Sequence, residues 1–315
     1  MKKFNNKILA IILVSLAAIF VLSRVYRASS RESNIRSELV NIDTAAVTEM
    51  RLYPNAEKNK EIRVVREGKN WTVKIDNRTA TAEAGSAISA LNYFVHLKPL
   101  RLISKKKNKW NEFHVGDTST QVKLMKGNEV LADVRIGKIG FNQQPGQQQF
   151  SPGSVFTYVR LSSENEVYSV EGFLESVYNR AYNDWRNKSF LRLQQNHISK
   201  ITFSYPADSG FVLEKKNKKW QVDNTEADSM KVKNFLSQLE NKNATTFADD
   251  FSPAGRAQAA IQIFGETGTQ TTVQAWKRAD DWVLTSSYQP AIYFSSKGLE
   301  SVMGRKKDFL PEKKK

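Results

Sequence analysis

The 315-residue chain has no cysteine and only three histidines. Without thiols there is no disulfide framework, no thiolate nucleophile and no cysteine-held zinc or iron–sulfur site. His96, His114 and His197 stand apart, with no HExxH and no second histidine one helical turn away, which excludes a helix-borne zinc pair. No GxxxxGK[ST] or GxGxxG segment opens a helix to cradle phosphate. No GxSxG elbow presents a serine, and Ser154 after Gly153 lacks the second glycine. The acidic pairs Asp249–Asp250 and Asp280–Asp281 fall in turn-like segments, where aspartate bonds its own backbone rather than forming a carboxylate dyad. These absences leave no catalytic residue, metal-ligand set or cofactor to name, and the expectation is a protein that is not an enzyme.

Long hydrophobic runs are also missing, with one exception. Ile8 to Leu22 reads ILAIILVSLAAIFVL, fifteen uncharged residues between Lys2, Lys3, Lys7 and Arg24, Arg27. At 1.5 Å per residue the run spans about 23 Å against a hydrocarbon core of about 30 Å, so flanking basic side chains would have to snorkel. The residues that follow are bulky or charged where a signal-peptidase site needs small ones. The reading is a retained single-pass anchor in the inner (cytoplasmic) membrane. The globular part is placed outside the cytoplasm, because a charged segment before a first apolar run stays inside.

The formal charge of +16 invites a nucleic-acid reading, but its distribution does not. Residues 1–36 carry net +6 and residues 305–315 net +4, leaving +6 for the rest. The lysine clusters KKKNK before Trp110 and KKNKK before Trp220 read as solvated hairpin turns, with Trp71 and Trp220 on apolar strand faces. No nucleic-acid partner is expected.

Two stretches of the chain resemble each other. Lys69-Asn70-Trp71-Thr72-Val73 recurs as Lys218-Lys219-Trp220-Gln221-Val222. Tyr168 with Leu174-Glu175-Ser176-Val177 recurs at the same spacing as Tyr293 with Leu299-Glu300-Ser301-Val302, and RNKSFL (186–191) as RKKDFL (305–310). Each copy opens with a period-two hairpin signal. A helix pattern follows: Ala84, Ala87, Ile88, Leu91 and Val95 in the first copy, Val232, Phe235, Leu236 and Leu239 in the second, with Asp228 as N-cap. Strand signals then run over 122–125, 130–136 and 155–161, and over 260–264, 272–276 and 282–285. The expected fold class is α+β, two tandem repeats, each an antiparallel sheet with helices packed on one face, after an N-terminal transmembrane helix. The expected division is an anchor at 1–28, a linker at 29–46, a first repeat at 47–194 and a second with a basic tail at 195–315.

Several of these segments are similar to the bacterial domain of unknown function 4340 family. They are the tryptophan hairpin, the helix opening after Ala227-Asp228, the strand end Ile136-Gly137, Tyr158-Val159-Arg160, Val167-Tyr168 and the closing RNKSFL. The resemblance covers nearly everything from Val47 to Leu310, although the second copy lacks the Ile–Gly and Tyr–Val–Arg words. It implies an envelope protein accessory to an ABC-type transport or gliding-type system, with transport subunits as protein partners and the membrane held through the N-terminal segment. It carries over no catalytic residue. The alternative is an anchored envelope hydrolase acting on cell-wall or glycan substrate.

Gly137 to Gly153, GKIGFNQQPGQQQFSPG, is rich in glutamine, glycine and proline. Such a loop is either disordered or a contact for a partner, and Phe141, Gln143, Gln148 and Phe150 are the candidate contact residues.

Overall fold

The computed structural model describes residues 13–24, 36–142, 154–266, 268, 270–279 and 281–312. The chain divides into two compact units, Met1–Asn187 and Lys188–Lys315.

In the first unit, α1 (13–24) precedes the linker. A short ladder of β1 (Val40–Asn41) with β6 (His96–Leu97) stands beside a nine-stranded antiparallel sheet. The large sheet contains β2 (Glu49–Tyr53), β3 (Ile62–Glu67), β4 (Asn70–Ile75), β5 (Arg78–Thr81), β7 (Pro99–Ser104), β8 (Thr120–Lys126), β9 (Glu129–Phe141), β10 (Val155–Leu161) and β11 (Val167–Glu171). Their order across it is β5-β4-β3-β2-β8-β9-β10-β11-β7. Alternation sorts the side chains. Met50, Leu52, Val64, Val73, Val122, Leu124 and Val134 turn into the core, each burial contributing about 1.5–3 kcal/mol.

Short helices supply the rest of that core: Ala87 and Leu91 from α2 (Ala84–Asn92), Leu174 and Tyr178 from α4 (Leu174–Tyr178), and Tyr182 and Trp185 from α5 (Tyr182–Trp185). The Tyr178 hydroxyl donates to the Ala90 carbonyl at 2.6 Å, tying two of them together. Helix α2 stops at Asn92, so Val95 lies beyond it, Ile88 is 51% exposed and Phe94 fills the core instead.

The other face of the sheet is charged. Glu49, nearly buried on β2, accepts from Arg63 Nε and Nη2 at 2.8 Å each and from Arg51 Nε at 2.7 Å. The Arg63 hydrogen bonds, helped by Arg51, hold its carboxyl below the usual glutamate range against the opposing effect of burial. A carboxylate whose pKa is lower folded than unfolded adds stability above its unfolded value of about 4.3, and that stability is lost as pH falls through the folded value. Glu49→Gln is therefore expected to unfold at lower urea than wild type at pH 7, with the two converging as the pH is taken well below 4. A gap that stays constant to low pH would place the effect elsewhere.

The second unit holds an eight-stranded antiparallel sheet made of β12 (Ile198–Ser204), β13 (Phe211–Lys216), β14 (Lys219–Val222), β15 (Thr225–Glu226), β16 (Ala259–Gly265), β17 (Gln270–Arg278), β18 (Asp281–Ser286) and β19 (Gln289–Ser295). The order β15-β14-β13-β12-β16-β17-β18-β19 repeats that of the first unit without the added β7. Helix α6 (Ser229–Glu240), the longest described helix of this unit, is capped by Asp228, which accepts from the Met230 and Lys231 amides. Val232, Leu236 and Leu239 on α6 join Phe190, Phe203, Phe294 and Phe309 in the core. Trp71 is buried in the first core and Trp220 packs half-buried against the second.

Two expectations about fold class are corrected. The chain is mostly β rather than α+β: α4, α5 and α3 (Trp110–Phe113) are only four or five residues long, and strands, not helices, hold most of the described residues that lie in regular elements. The helical periods are conspicuous in the sequence because they are local, whereas the pairing that adds β7 beside β11 is not. Nor do the described residues hold a transmembrane helix: no helix among them is long and apolar enough to cross a membrane. Of the run from Ile8 to Leu22, α1 covers the ten described residues 13–22 and continues to residue 24, about 18 Å of helix in all.

Candidate binding site

The pairing of β9 with β10 breaks register at one point. Thr157 faces Ile139 but Val159 faces Ile136, so Gly137 and Lys138 together oppose Tyr158. Such a bulge bends the strand and re-aims its side chains. It requires glycine: a Cβ on Gly137 would fall on the Phe113 carbonyl oxygen and lie 2.7 Å from Val115 Cγ1. The bulged strand is thereby pressed against the segment that follows α3. In the second unit the corresponding pair, β17 with β18, runs without a register shift.

The segment after α3 is held from behind by Arg160 of β10, which is buried. Its guanidinium lies 3.6 Å over the Trp110 ring. Nε donates to the Val115 carbonyl at 3.0 Å, and Nη1 to those of Leu161, Ser162 and Glu164 at 3.3, 3.2 and 3.0 Å. Burial lowers its pKa below the ordinary arginine value, while Asp117 at 3.8 Å acts in the other direction. Trp110 itself donates to the Asn165 carbonyl at 2.9 Å. His114 ends α3 in the left-handed region at φ 55° and turns the chain into the loop.

The second wall is α4. Thr157 Oγ1 donates to the Gly172 carbonyl at 2.6 Å and accepts from the Leu174 amide at 3.0 Å, fixing where the helix starts. One turn apart on α4, Asn179 Nδ2 donates to Glu175 Oε1 at 2.8 Å, and Asn179 Oδ1 accepts from the Ala56 amide at 2.8 Å. The third wall joins the loop after β2 to the start of β8. There the Asn55 amide donates to Thr120 Oγ1 at 3.2 Å, and Ser119 Oγ donates to the Gly116 carbonyl at 2.6 Å.

Between the walls is a cavity of about 350 Å³. Asn55, Asn111, Asn179, Thr118, Ser119 and Thr120 contribute amides and hydroxyls to it, Ile136 and Ile139 an apolar strip, and Lys138 and Glu175 one charge of each sign. Asn111, Thr118 and Lys138 make no side-chain bond to any described residue, so their donors and acceptors are available. The site can recognise a polar molecule.

The residues singled out from the sequence are distributed differently. Phe141 ends β9 opposite Val155 and is 55% exposed; Gln143, Gln148 and Phe150 lie outside the described residues. Of the histidines, His114 lines the cavity, His96 sits 3.1 Å from Glu38, and His197 lines a separate hollow in the second unit. Among the described residues no group of three or more histidine, aspartate and glutamate side chains is placed to hold a metal ion. Asp250 pairs with Arg278 at 3.2 Å. Asp281 is held below the usual aspartate range by hydrogen bonds from Ser296, Ser295 and the Trp282 amide, although burial alone would raise it. Asp280 lies outside the described residues.

The cavity was legible only in fragments. An isolated glycine in a strand pattern signals a bulge, but Arg160 within Tyr-Val-Arg-Leu reads only as part of a strand. Nothing local says that the two meet.

The family model described as domain of unknown function (DUF4340) matches residues 87–259, more than half of the chain. The matched stretch contains the bulge, Arg160 and α4. No curated protein and no solved structure matches the chain.

Proposed function

The chain belongs to the domain of unknown function DUF4340 family, and from that premise we propose that it acts by binding, as an accessory or scaffold subunit of an ABC-type transport or gliding-type assembly in the cell envelope. The observation that carries the binding reading is the preformed polar cavity of the first unit, whose walls are locked before any ligand arrives. Glu175 is the only carboxylate among the described residues that line it, whereas glycoside hydrolysis ordinarily divides its work between two. This weighs against the envelope hydrolase.

The transport association comes from the family resemblance. Its location, outside the cytoplasm and at the inner membrane, is supported by the lysines ahead of the apolar run and by α1, where Leu13, Val14, Leu16, Ile19, Phe20, Val21 and Leu22 all stand exposed. Such a surface favours an apolar environment over water. Affinity purification of the full chain from detergent-solubilised native membranes is expected to recover subunits of an ABC-type transporter. Repeated purification of intact protein without any transporter subunit would overturn the reading.

A further inference from the structure

We infer that the cavity at the β9 bulge is a site for a small, neutral, hydroxyl-rich ligand, one or two sugar rings in size. The inference rests on the binding reading above and adds the class of ligand.

Chemistry carries it first. A sugar hydroxyl is both donor and acceptor, and so is each amide or hydroxyl that the wall offers through Asn55, Asn111, Asn179 and Thr118. Glu175 bonds Asn179 through Oε1 and leaves its second oxygen for a ligand hydroxyl. Charge favours no ion of one sign. Lys138 and Glu175 put one charge of each sign in the lining, so neither an anion nor a cation meets a wall of purely opposite charge. Ile136 and Ile139 offer an apolar strip for the C–H face that a sugar ring also presents.

Size and rigidity agree. A volume of about 350 Å³ is at the small end of the range of roughly 300–1,000 Å³ for ligand sites, too small for a folded partner or a long polymer. Asn179, Glu175 and Thr120 are already oriented by their internal bonds, so little side-chain freedom is lost on binding. The His114 imidazole is the one ring among the described lining residues, and no phenylalanine, tyrosine or tryptophan is there. Without stacking, the expected dissociation constant is on the order of 1 mM.

Ligand-observed magnetic resonance and calorimetry on the full chain would test this with glucose, N-acetylglucosamine, cellobiose and chitobiose as probes and acetate as the anionic control. At least one sugar is expected to bind saturably. Asn111→Ala, which breaks no side-chain bond to any described residue, is expected to weaken that binding roughly three- to tenfold. No saturable binding of any of the four sugars up to about 20 mM would overturn the inference, as would sugar binding that ignores Asn111→Ala. Acetate binding that Lys138→Gln abolishes would also overturn it, showing an anion site. Recovery of transporter subunits does not depend on any of these results, so the two readings fail separately.

Discussion

Arg160→Met is expected to destabilise the first unit by about 3–5 kcal/mol, among the largest effects available from a single polar side chain. Methionine can fill the space of the aliphatic stem, so the loss comes from the guanidinium. That group satisfies the carbonyls of Val115, Leu161, Ser162 and Glu164 and stacks on Trp110. Each carbonyl left buried without a partner costs about 1–3 kcal/mol, and the costs are not additive because all four depend on one group. Arg160→Lys tests the geometry apart from the charge. An ammonium carries the same charge but cannot present a planar fork to several acceptors while lying flat on an indole. It should recover only a small part of the loss.

Urea unfolding of the full chain followed by tryptophan fluorescence is the measurement. The first unit holds Trp71, Trp110 and Trp185 and the second Trp220, Trp276 and Trp282, so both contribute to the signal, and the transition that the substitution moves is the first unit's. At a urea dependence of about 1–3 kcal/mol per molar, the first unit's midpoint should fall by more than about 1 M. A fall below about 0.3 M, or full rescue by lysine, would show that Arg160 is not the brace of the cavity wall.

Phe309→Ala is expected to cost the second unit about 3–5 kcal/mol. Phe309 is almost fully buried, with ring centroids 4.9 Å from Phe235, 5.8 Å from Phe211 and 6.1 Å from Phe203. Its carbonyl also accepts from the Asp228 amide at 2.9 Å, so the chain end is fastened where α6 begins. Alanine would leave a ring-sized void, and the edge-on packing with Phe235 would be lost with it. Phe309→Leu refills part of the void and should cost roughly half as much. The check is the second unit's unfolding midpoint, with the first unit's unchanged. An alanine variant within about 1 kcal/mol of wild type would mean that the RKKDFL segment only rests on the core.

How far these effects could be foreseen differs between the two. RKKDFL stood out in the sequence because RNKSFL precedes it. What it docks against was not legible. In RNKSFL the division between units falls inside the motif, and Phe190 packs in the second unit, 5.8 Å from Phe294. Arg160 was legible as part of a strand and as nothing more. Its partners include Val115, which is 45 residues away, and no period or spacing in the chain relates the two. The helix read over Ala84 to Val95 shows the same limit in reverse: the period is present, but Phe94, not Val95, meets the core because the helix ends first.

The sequence by itself determined that there is no thiol or disulfide chemistry, because folding cannot supply a cysteine that the chain lacks. It also determined the hairpins, the Asp228 cap and the strands whose apolar residues alternate, since those are local consequences of side-chain period. Only the tertiary structure decided that the chain is mostly β, because strand pairing joins segments far apart, as when β7 is added to the edge beside β11. It alone decided that Gly137, Lys138, Asn111, Glu175 and Asn179 face one cavity. That convergence depends on a register shift and a buried guanidinium, and both exist only once distant strands have met.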